Sequence, residues 1–287
     1  MRIISILALL LAQICLNAQE KWTLQRCIDY AYQNNIQLKQ AELNVDLSEA
    51  DRLQSRGNAL PNLNGQASHG YNWGQTIDPF TNSFATSRIR SNNIGLNTSV
   101  TLFNGFQNIN SIKRSDLNLA VSEQNLDQAK NDLALNVANA FLNVLFNEEF
   151  LNIAQSNLES STQQVDRISK LVDAGASPRG ALYDIEAQMA TDEASVINAE
   201  NNLRLAYLSL TQILQLSPEE ASGFEVASPD LDEFSSSTLV SDPEMVVQSA
   251  LNNFPSVKSA EINVLSAEKS LSIAKGTISP RLSASFS

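Results

Sequence analysis

With 287 residues, a formal charge of −12 and 17% charged residues, the chain is acidic, which argues against nucleic acid as a partner. Its one His (His69) and two Cys (Cys15, Cys27) supply too few groups for a zinc site, or for a Ser–His–Asp or Cys–His centre with any specific spacing. No catalytic, cofactor-binding or metal-binding residue is assigned, and no cofactor is expected. His69 reads as a packing or interfacial residue and Cys27 as a small apolar helix residue.

Residues 1–18 place Arg2 before an apolar run, Ile3–Leu11, and end on Ala18. This is the pattern of a secretory signal peptide, because the run falls well short of the roughly 20 apolar residues that a membrane-crossing helix needs. A buried N-terminal helix and a lipid-modified Cys15 are the alternatives, the second disfavoured by the bulk of Ile14. Cleavage would remove Arg2, take the net charge to −13 and leave Cys27 without an intrachain disulfide partner.

From Thr23 to Arg56 the apolar positions Leu38, Ala41 and Val45 follow helical spacing, which Gly57 and Pro61 stop. The period then changes to two. Leu63, Gly65, Ala67, His69, Tyr71 and Trp73 alternate with Asn62, Asn64, Gln66, Ser68, Gly70 and Asn72. After a polar loop over 75–91, Ile94, Leu96, Thr98, Val100 and Leu102 alternate with Asn93, Gly95, Asn97, Ser99 and Thr101. Two strands, 62–74 and 92–103, are expected. Each has about the 9–11 residues that a tilted strand needs to cross a bilayer, and Tyr71 and Trp73 suit an interfacial aromatic girdle. A soluble hairpin with one face on a core fits the same alternation.

Beyond Phe106 no Pro or Gly occurs until the turn AGASPRG at 174–180. A helix over this stretch would extend roughly 100 Å at ~1.5 Å per residue. Val137, Val144, Leu151, Leu158, Val165 and Val172 keep a seven-residue spacing, and Leu182, Met189, Val196, Leu203 and Leu210 continue it after the turn. Two antiparallel helices with coiled-coil packing follow, with Pro178 starting the return helix. Residues 217–241 lose periodicity and gain Pro, Ser and acid, the composition of a linker.

Segment 250–285 lies over 31–66 without a gap at a constant offset of 219. Ala41/Ala260, Glu42/Glu261, Asn44/Asn263, Val45/Val264, Gly57/Gly276 and Pro61/Pro280 are among the identities. The chain reads as a signal peptide (1–18), a first repeat (19–216, with the helical hairpin at 106–216), a linker or equatorial segment (217–241) and a second repeat (242–287) truncated in its first strand. Doubling the period gives a chain of roughly 430 residues. Four strands per complete chain cannot close a barrel, because even the smallest single-chain barrels use about eight. If the strands cross a membrane, several chains must pool them, since an open edge in hydrocarbon leaves backbone groups unpaired.

In that order, the signal peptide, the opening WTLQRCIDYAYQNN, Pro61 before the first strand, TLFNGF at the strand-to-helix junction, the turn DAGASPRGAL and the duplication resemble the TolC-like outer membrane efflux protein family. The resemblance implies an α+β membrane protein in which a long antiparallel α-helical coiled-coil hairpin joins transmembrane β-strands that contribute to a shared oligomeric β-barrel. It implies a homotrimer with a twelve-stranded barrel in the outer membrane of a Gram-negative bacterium and a periplasmic helical tunnel. Its expected function is a passive channel for efflux or type I secretion, coupled to an inner-membrane transporter through a periplasmic adaptor protein.

The polar strand positions Asn62, Asn64, Gln66, Ser68, Asn93, Asn97, Ser99 and Thr101 would then face the lumen, while Leu63, Tyr71, Trp73, Ile94, Leu96, Val100 and Leu102 would meet outer-membrane lipid. Gly175, Ala176, Ser177, Pro178 and Gly180 would form the adaptor-docking tip. Some members carry an acidic residue just after this turn that takes part in closing the tunnel. Gly180 and Ala181 stand there instead, so no gate residue is assigned. The alternative is a periplasmic coiled-coil adaptor or structural protein, which would need neither the strands nor their duplication.

Overall fold

The computed structural model describes residues 21–78, 80–86, 89–228 and 242–287. The expected signal peptide and part of the expected linker, 229–241, lie outside the described residues. The chain divides into two compact units. One holds the residues up to Gln40 together with Gln128–Pro243, and the other holds Ala41–Asp127 and Glu244–Ser287.

The helix expected over Thr23–Arg56 is two helices, α1 (Leu24–Asn34) and α2 (Ile36–Gly57). Thr23 caps the first by accepting from the Arg26 N–H at 3.3 Å. Asn35 breaks the run, because its backbone leaves the helical region at ψ 123°. Its Oδ1 accepts from the N–H groups of Gln37 (2.9 Å) and Leu38 (3.2 Å), and its Nδ2 donates to the Ile213 carbonyl at 3.1 Å. One buried side chain thus satisfies groups at two helix ends that would otherwise be orphaned.

The same unit contains most of α3 (Gln107–Asp173) and all of α4 (Arg179–Leu214) and α5 (Pro218–Ala221). Along α3, Val137, Phe141, Val144, Ala154 and Ser161 are buried. On α4 the residues withdrawn from solvent alternate three and four apart: Leu182, Ile185, Met189, then Val196, Ala199, Leu203, Ala206 and Leu210. This is the seam of a coiled coil, and its small members let helices approach closely. Ser217 and Glu220 form a reciprocal capping box on α5. Beyond it Trp22 and Val226 make a parallel bridge, and Phe224 packs edge-on against Trp22 (5.2 Å) and Tyr207 (6.1 Å).

The other unit carries a three-stranded antiparallel sheet of order β1–β4–β5, with β1 Asn62–Asn72, β4 Ile89–Phe103 and β5 Leu282–Phe286. A separate small hairpin, β2 (Gln75–Ile77) with β3 (Phe84–Thr86), occupies part of the stretch expected to be loop. The strands also differ at their ends from the expected 62–74 and 92–103. β4 starts earlier because Ile89, Arg90 and Ser91 pair with Asn72, Tyr71 and Gly70. β1 stops earlier because Gly74 takes a φ of +109°, which a strand cannot continue through.

Two further helices, α6 (Pro243–Asn253) and α7 (Pro255–Gly276), precede β5. Shifted by 219, the bounds of α1 and α2 fall on those of α6 and α7. Phe254 stands at the position that matches Asn35 and caps α7 without a side-chain hydrogen bond, and Pro255 takes the first helical position. α7 lies against the start of α3, where Ser259 Oγ donates to Asn125 Oδ1 (3.0 Å) and Ser266 Oγ to Asn118 Oδ1 (2.8 Å), one heptad apart. Gly105 and Gly276 meet beyond these pairs. A Cβ built on Gly276 would lie 2.5 Å from the Gly105 carbonyl oxygen, so only glycine allows this backbone approach.

Candidate functional site: a two-faced sheet and a helical tip

The β1–β4 register pairs Asn62 with Ser99, Asn64 with Asn97, Gln66 with Gly95 and Ser68 with Asn93. Directly opposed residues share a face, so the polar positions of both strands gather on one side. Ser283 and Ser285 of β5 extend that side opposite Thr101 and Ser99. Asn62 Oδ1 accepts from the Ser99 N–H (2.9 Å) and Oγ (3.0 Å), and the Arg281 guanidinium donates to Thr101 Oγ1 at 3.2 Å.

The other side collects Leu63 opposite Thr98, Gly65 opposite Leu96, Ala67 opposite Ile94, and Ala284 and Phe286 opposite Val100 and Thr98. A bulge between Thr101 and Phe103 sets Leu282 opposite Phe103 and leaves Leu102 as the extra residue. At its far end His69 hydrogen-bonds Asn92 and meets the Tyr71 ring edge-on at 4.7 Å. Trp73 lies just past β1 and stacks on Tyr71 at 5.8 Å.

Neither face packs on a core. Ile94 is 86% exposed, Phe286 78% and Leu63 74%, while the polar residues opposite are exposed as well, apart from the half-buried Thr101. A soluble hairpin would bury its apolar face, and that reading of the alternation fails here. An apolar strip this continuous marks a surface meant for something other than water.

The turn after α3 is a Schellman motif. Gly175 adopts φ +73°, its N–H donates to the Val172 carbonyl (2.9 Å), and the Ala176 N–H donates to the Leu171 carbonyl (2.8 Å). Pro178 does not start the return helix. It is the N-cap, extended at ψ 148°, and its carbonyl accepts from the Ala181 N–H at 3.1 Å. The reason is that Ala181 needs an acceptor three residues back, and the cap position supplies one. Ala176, Pro178 and Gly180 are exposed and Ser177 is half-buried. Neither Gly175 nor Gly180 has an atom within 4 Å of a built Cβ.

Cys27 is fully buried, and burial pushes its thiol up to about 11, against a smaller opposing pull from Arg26. A thiol held protonated is a poor nucleophile or metal ligand. Sequence reasoning missed the Asn35 junction and the Trp22–Phe224–Tyr207 cluster. The doubled Asn34–Asn35 was the available signal for the first. Nothing in the periodicity announced the second.

The outer membrane efflux protein family model matches residues 27–215. The chain belongs to the outer membrane efflux protein family. The outer membrane efflux protein BepC of Brucella suis is 21% identical over 260 residues, covering 91% of this chain and 53% of BepC. The outer membrane protein TolC of Salmonella enteritidis is 24% identical over 191 residues, covering 63% of this chain and 39% of TolC. Among solved structures, CusC superposes with a TM-score of 0.76 at 21% identity, covering 91% of this chain and 58% of CusC. The chain therefore spans about half the length of the BepC protein it matches. Its fold is that of TolC-like channel chains. Its place is the outer membrane, with the helical portion in the periplasm.

Proposed function

We propose that the chain is a channel-tunnel subunit that assembles as a homotrimer, whose subunits pool their strands in one outer-membrane barrel. The barrel is a passive conduit for efflux or type I secretion. One observation carries this reading: the β1–β4–β5 sheet has an apolar face and a polar face, both bare. Among the described residues no helix is long and apolar enough to cross a membrane, and a closed β-barrel is the other structure that hydrocarbon tolerates.

In this reading Leu63, Ile94, Leu96, Val100 and Leu102 meet lipid, and Tyr71 and Trp73 sit at its boundary. The Asn- and Ser-rich face, from Asn62 to Ser68 and from Asn93 to Thr101, lines the lumen. Residues 1–18 are a cleaved signal, 19–216 a first repeat, 217–241 a linker and 242–287 the start of a second repeat. The tip at Gly175, Ala176, Ser177, Pro178 and Gly180 docks a periplasmic adaptor protein, and through it an inner-membrane transporter that supplies the energy.

The test is to fractionate cells making the full-length protein and to measure bilayer conductance of the purified material. A detergent-stable trimer in outer membranes that conducts is the expected result. A monomer in the soluble periplasmic fraction overturns the reading.

A further inference from the structure

Along the apolar face of the sheet the residues change character from one end to the other. Leu63 opposite Thr98, Gly65 opposite Leu96 and Ala67 opposite Ile94 give way to His69 opposite Asn92, and then to Tyr71 opposite Arg90. Directly opposed residues share a face, so Arg90 stands on the apolar face, across from the Tyr71 ring that stacks on Trp73 at 5.8 Å. It is exposed. Between Asn62 and Phe103 the only charged residues are Arg88, Arg90 and Asp78, a local excess of positive charge in a chain of formal charge −12. Asp78 is engaged in the β2–β3 turn, where its Oδ1 accepts from the Phe80 N–H at 2.8 Å. Arg90 makes no ion pair among the described residues.

Depth decides what an arginine on this face can meet. From Leu102 to Arg90 the strand β4 runs twelve residues, roughly 40 Å at ~3.3 Å each, which a tilt of about 35–45° turns into about 30 Å of depth. That is the thickness of the hydrocarbon core of a bilayer, so with Leu102 at one boundary Arg90 reaches the other. A charge on the lipid face is costly at mid-bilayer and nearly free at the interface, and Arg90 stands at the end where it is tolerated. Helices precede β1 and follow β4 at the opposite end. With the helical portion in the periplasm, the Arg90 end therefore belongs to the outer, cell-surface leaflet.

We infer that Arg90, flanked by Tyr71 and Trp73, is a binding site for the phosphate of an outer-leaflet glycolipid. The outer leaflet of a bacterial outer membrane is built largely of phosphorylated glycolipid, so the matching anion is present at that depth. A guanidinium offers a planar fork of donors that suits two phosphate oxygens at once, and the neighbouring ring faces suit the C–H surface of the sugar and the first acyl methylenes. Aromatic rings alone place a strand by depth, whatever the headgroup. The arginine adds a requirement for an anion, and its place on the lipid-facing side directs it to lipid instead of to the lumen. The assignment rests on the pooled-barrel reading and deepens it by naming the lipid that the outer end of the sheet selects.

The test follows thermal dissociation of the purified full-length oligomer in detergent as defined lipids are added. Expected is an upward shift for wild type with bisphosphorylated lipid A, a phosphorylated glucosamine glycolipid, and little shift with dephosphorylated lipid A, phosphatidylglycerol or inorganic phosphate. The shift should be at least halved in Arg90→Gln and partly kept in Arg90→Lys, which retains the charge without the fork. Glycolipid phosphate that co-purifies with the oligomer should fall in Arg90→Gln and stay at the wild-type level in Lys39→Gln, the same loss of charge on the exposed side of α2. Equal shifts in wild type and Arg90→Gln, or with and without the lipid phosphates, overturn the site. An equal response to phosphatidylglycerol or to inorganic phosphate overturns the glycolipid as its ligand. The same preparations separate the two claims. An outer-membrane oligomer indifferent to Arg90 sinks only the site, whereas a monomer in the soluble periplasmic fraction sinks the channel reading with it.

Discussion

The Trp22–Phe224 cluster and the β1–β4–β5 sheet are built from similar apolar and aromatic residues and reach opposite ends. In the cluster, Trp22 meets Tyr30 at 5.1 Å and Phe224 at 5.2 Å, the Arg26 guanidinium lies 4.7 Å over the Trp22 ring, and Phe224 is 7% exposed. The chain satisfies these groups by itself. In the sheet, Leu63, Ile94, Leu96 and Phe286 remain exposed. The difference separates what the chain stabilises alone from what, in the proposed channel, meets lipid and other subunits. A mutation in the cluster should act on the fold of one subunit, and a mutation on the sheet should act on insertion and assembly.

The largest effect should come from the cluster. Truncating Phe224 to Ala removes the one ring that packs on both Trp22 and Tyr207, and should destabilise its unit by about 3–5 kcal/mol, as for other buried aromatics. Hydrogen exchange around Trp22 and α1 would show it as faster local opening. Unchanged exchange would mean that the cluster is peripheral to that unit's stability.

On the sheet, Arg at Leu96 or Val100 should cost about 2–4 kcal/mol if the position lies near mid-bilayer, and should lower the yield of heat-resistant oligomer. Arg at Asn97, paired with Asn64 on the polar face, should assemble and shift the ion selectivity of the pore. Ser99 is a poorer control, because its hydroxyl and N–H are both engaged by Asn62. Equal damage at Leu96 and Asn97 would erase the distinction between the two faces.

The strand alternation and the heptads were legible because each is a period that register or burial follows, and at the 219-residue offset the bounds of α1 and α2 fall on those of α6 and α7. Elements set by a single side chain were not. Asn35 ends a helix through hydrogen bonds to Gln37, Leu38 and Ile213, the last a residue far away in sequence. The β2–β3 hairpin is too short for alternation to declare it. Pro178 suits either the first helical position or the cap, and the backbone bond from Ala181 decides.

Cys27 tests the closed side of the comparison more gently. Its thiol is raised in the folded protein to about 11, so the unfolded chain gives up its proton at lower pH than the folded one. The protonated thiol therefore adds nothing to the pH dependence below its ordinary range, and stability should fall as pH rises from about 9 toward 11. At pH 8 the thiol should resist maleimide until denaturant is added. Rapid labelling of the native protein would show that α1, which buries Cys27, opens locally.

The smallest effect on stability is expected at the tip, where the two glycines are not equivalent. Gly175 sits at φ +73°, so Gly175→Leu carries a left-handed penalty of roughly 1–2 kcal/mol whatever else it does. Gly180 is helical, exposed and has open space around a built Cβ, and a Leu there should leave the hairpin intact or slightly firmer, since Leu is the better helix former. Gly180→Leu therefore isolates the surface. If a partner helix approaches the turn closely, this variant should weaken adaptor cross-linking and export while trimer yield and membrane insertion match wild type. Gly175→Leu should show the same loss with an added fraying of the α3 end, read as faster exchange at Gly175 and Ala176. Wild-type export and cross-linking in Gly180→Leu would mean that the turn only reverses the chain, and any defect in Gly175→Leu would then belong to the backbone.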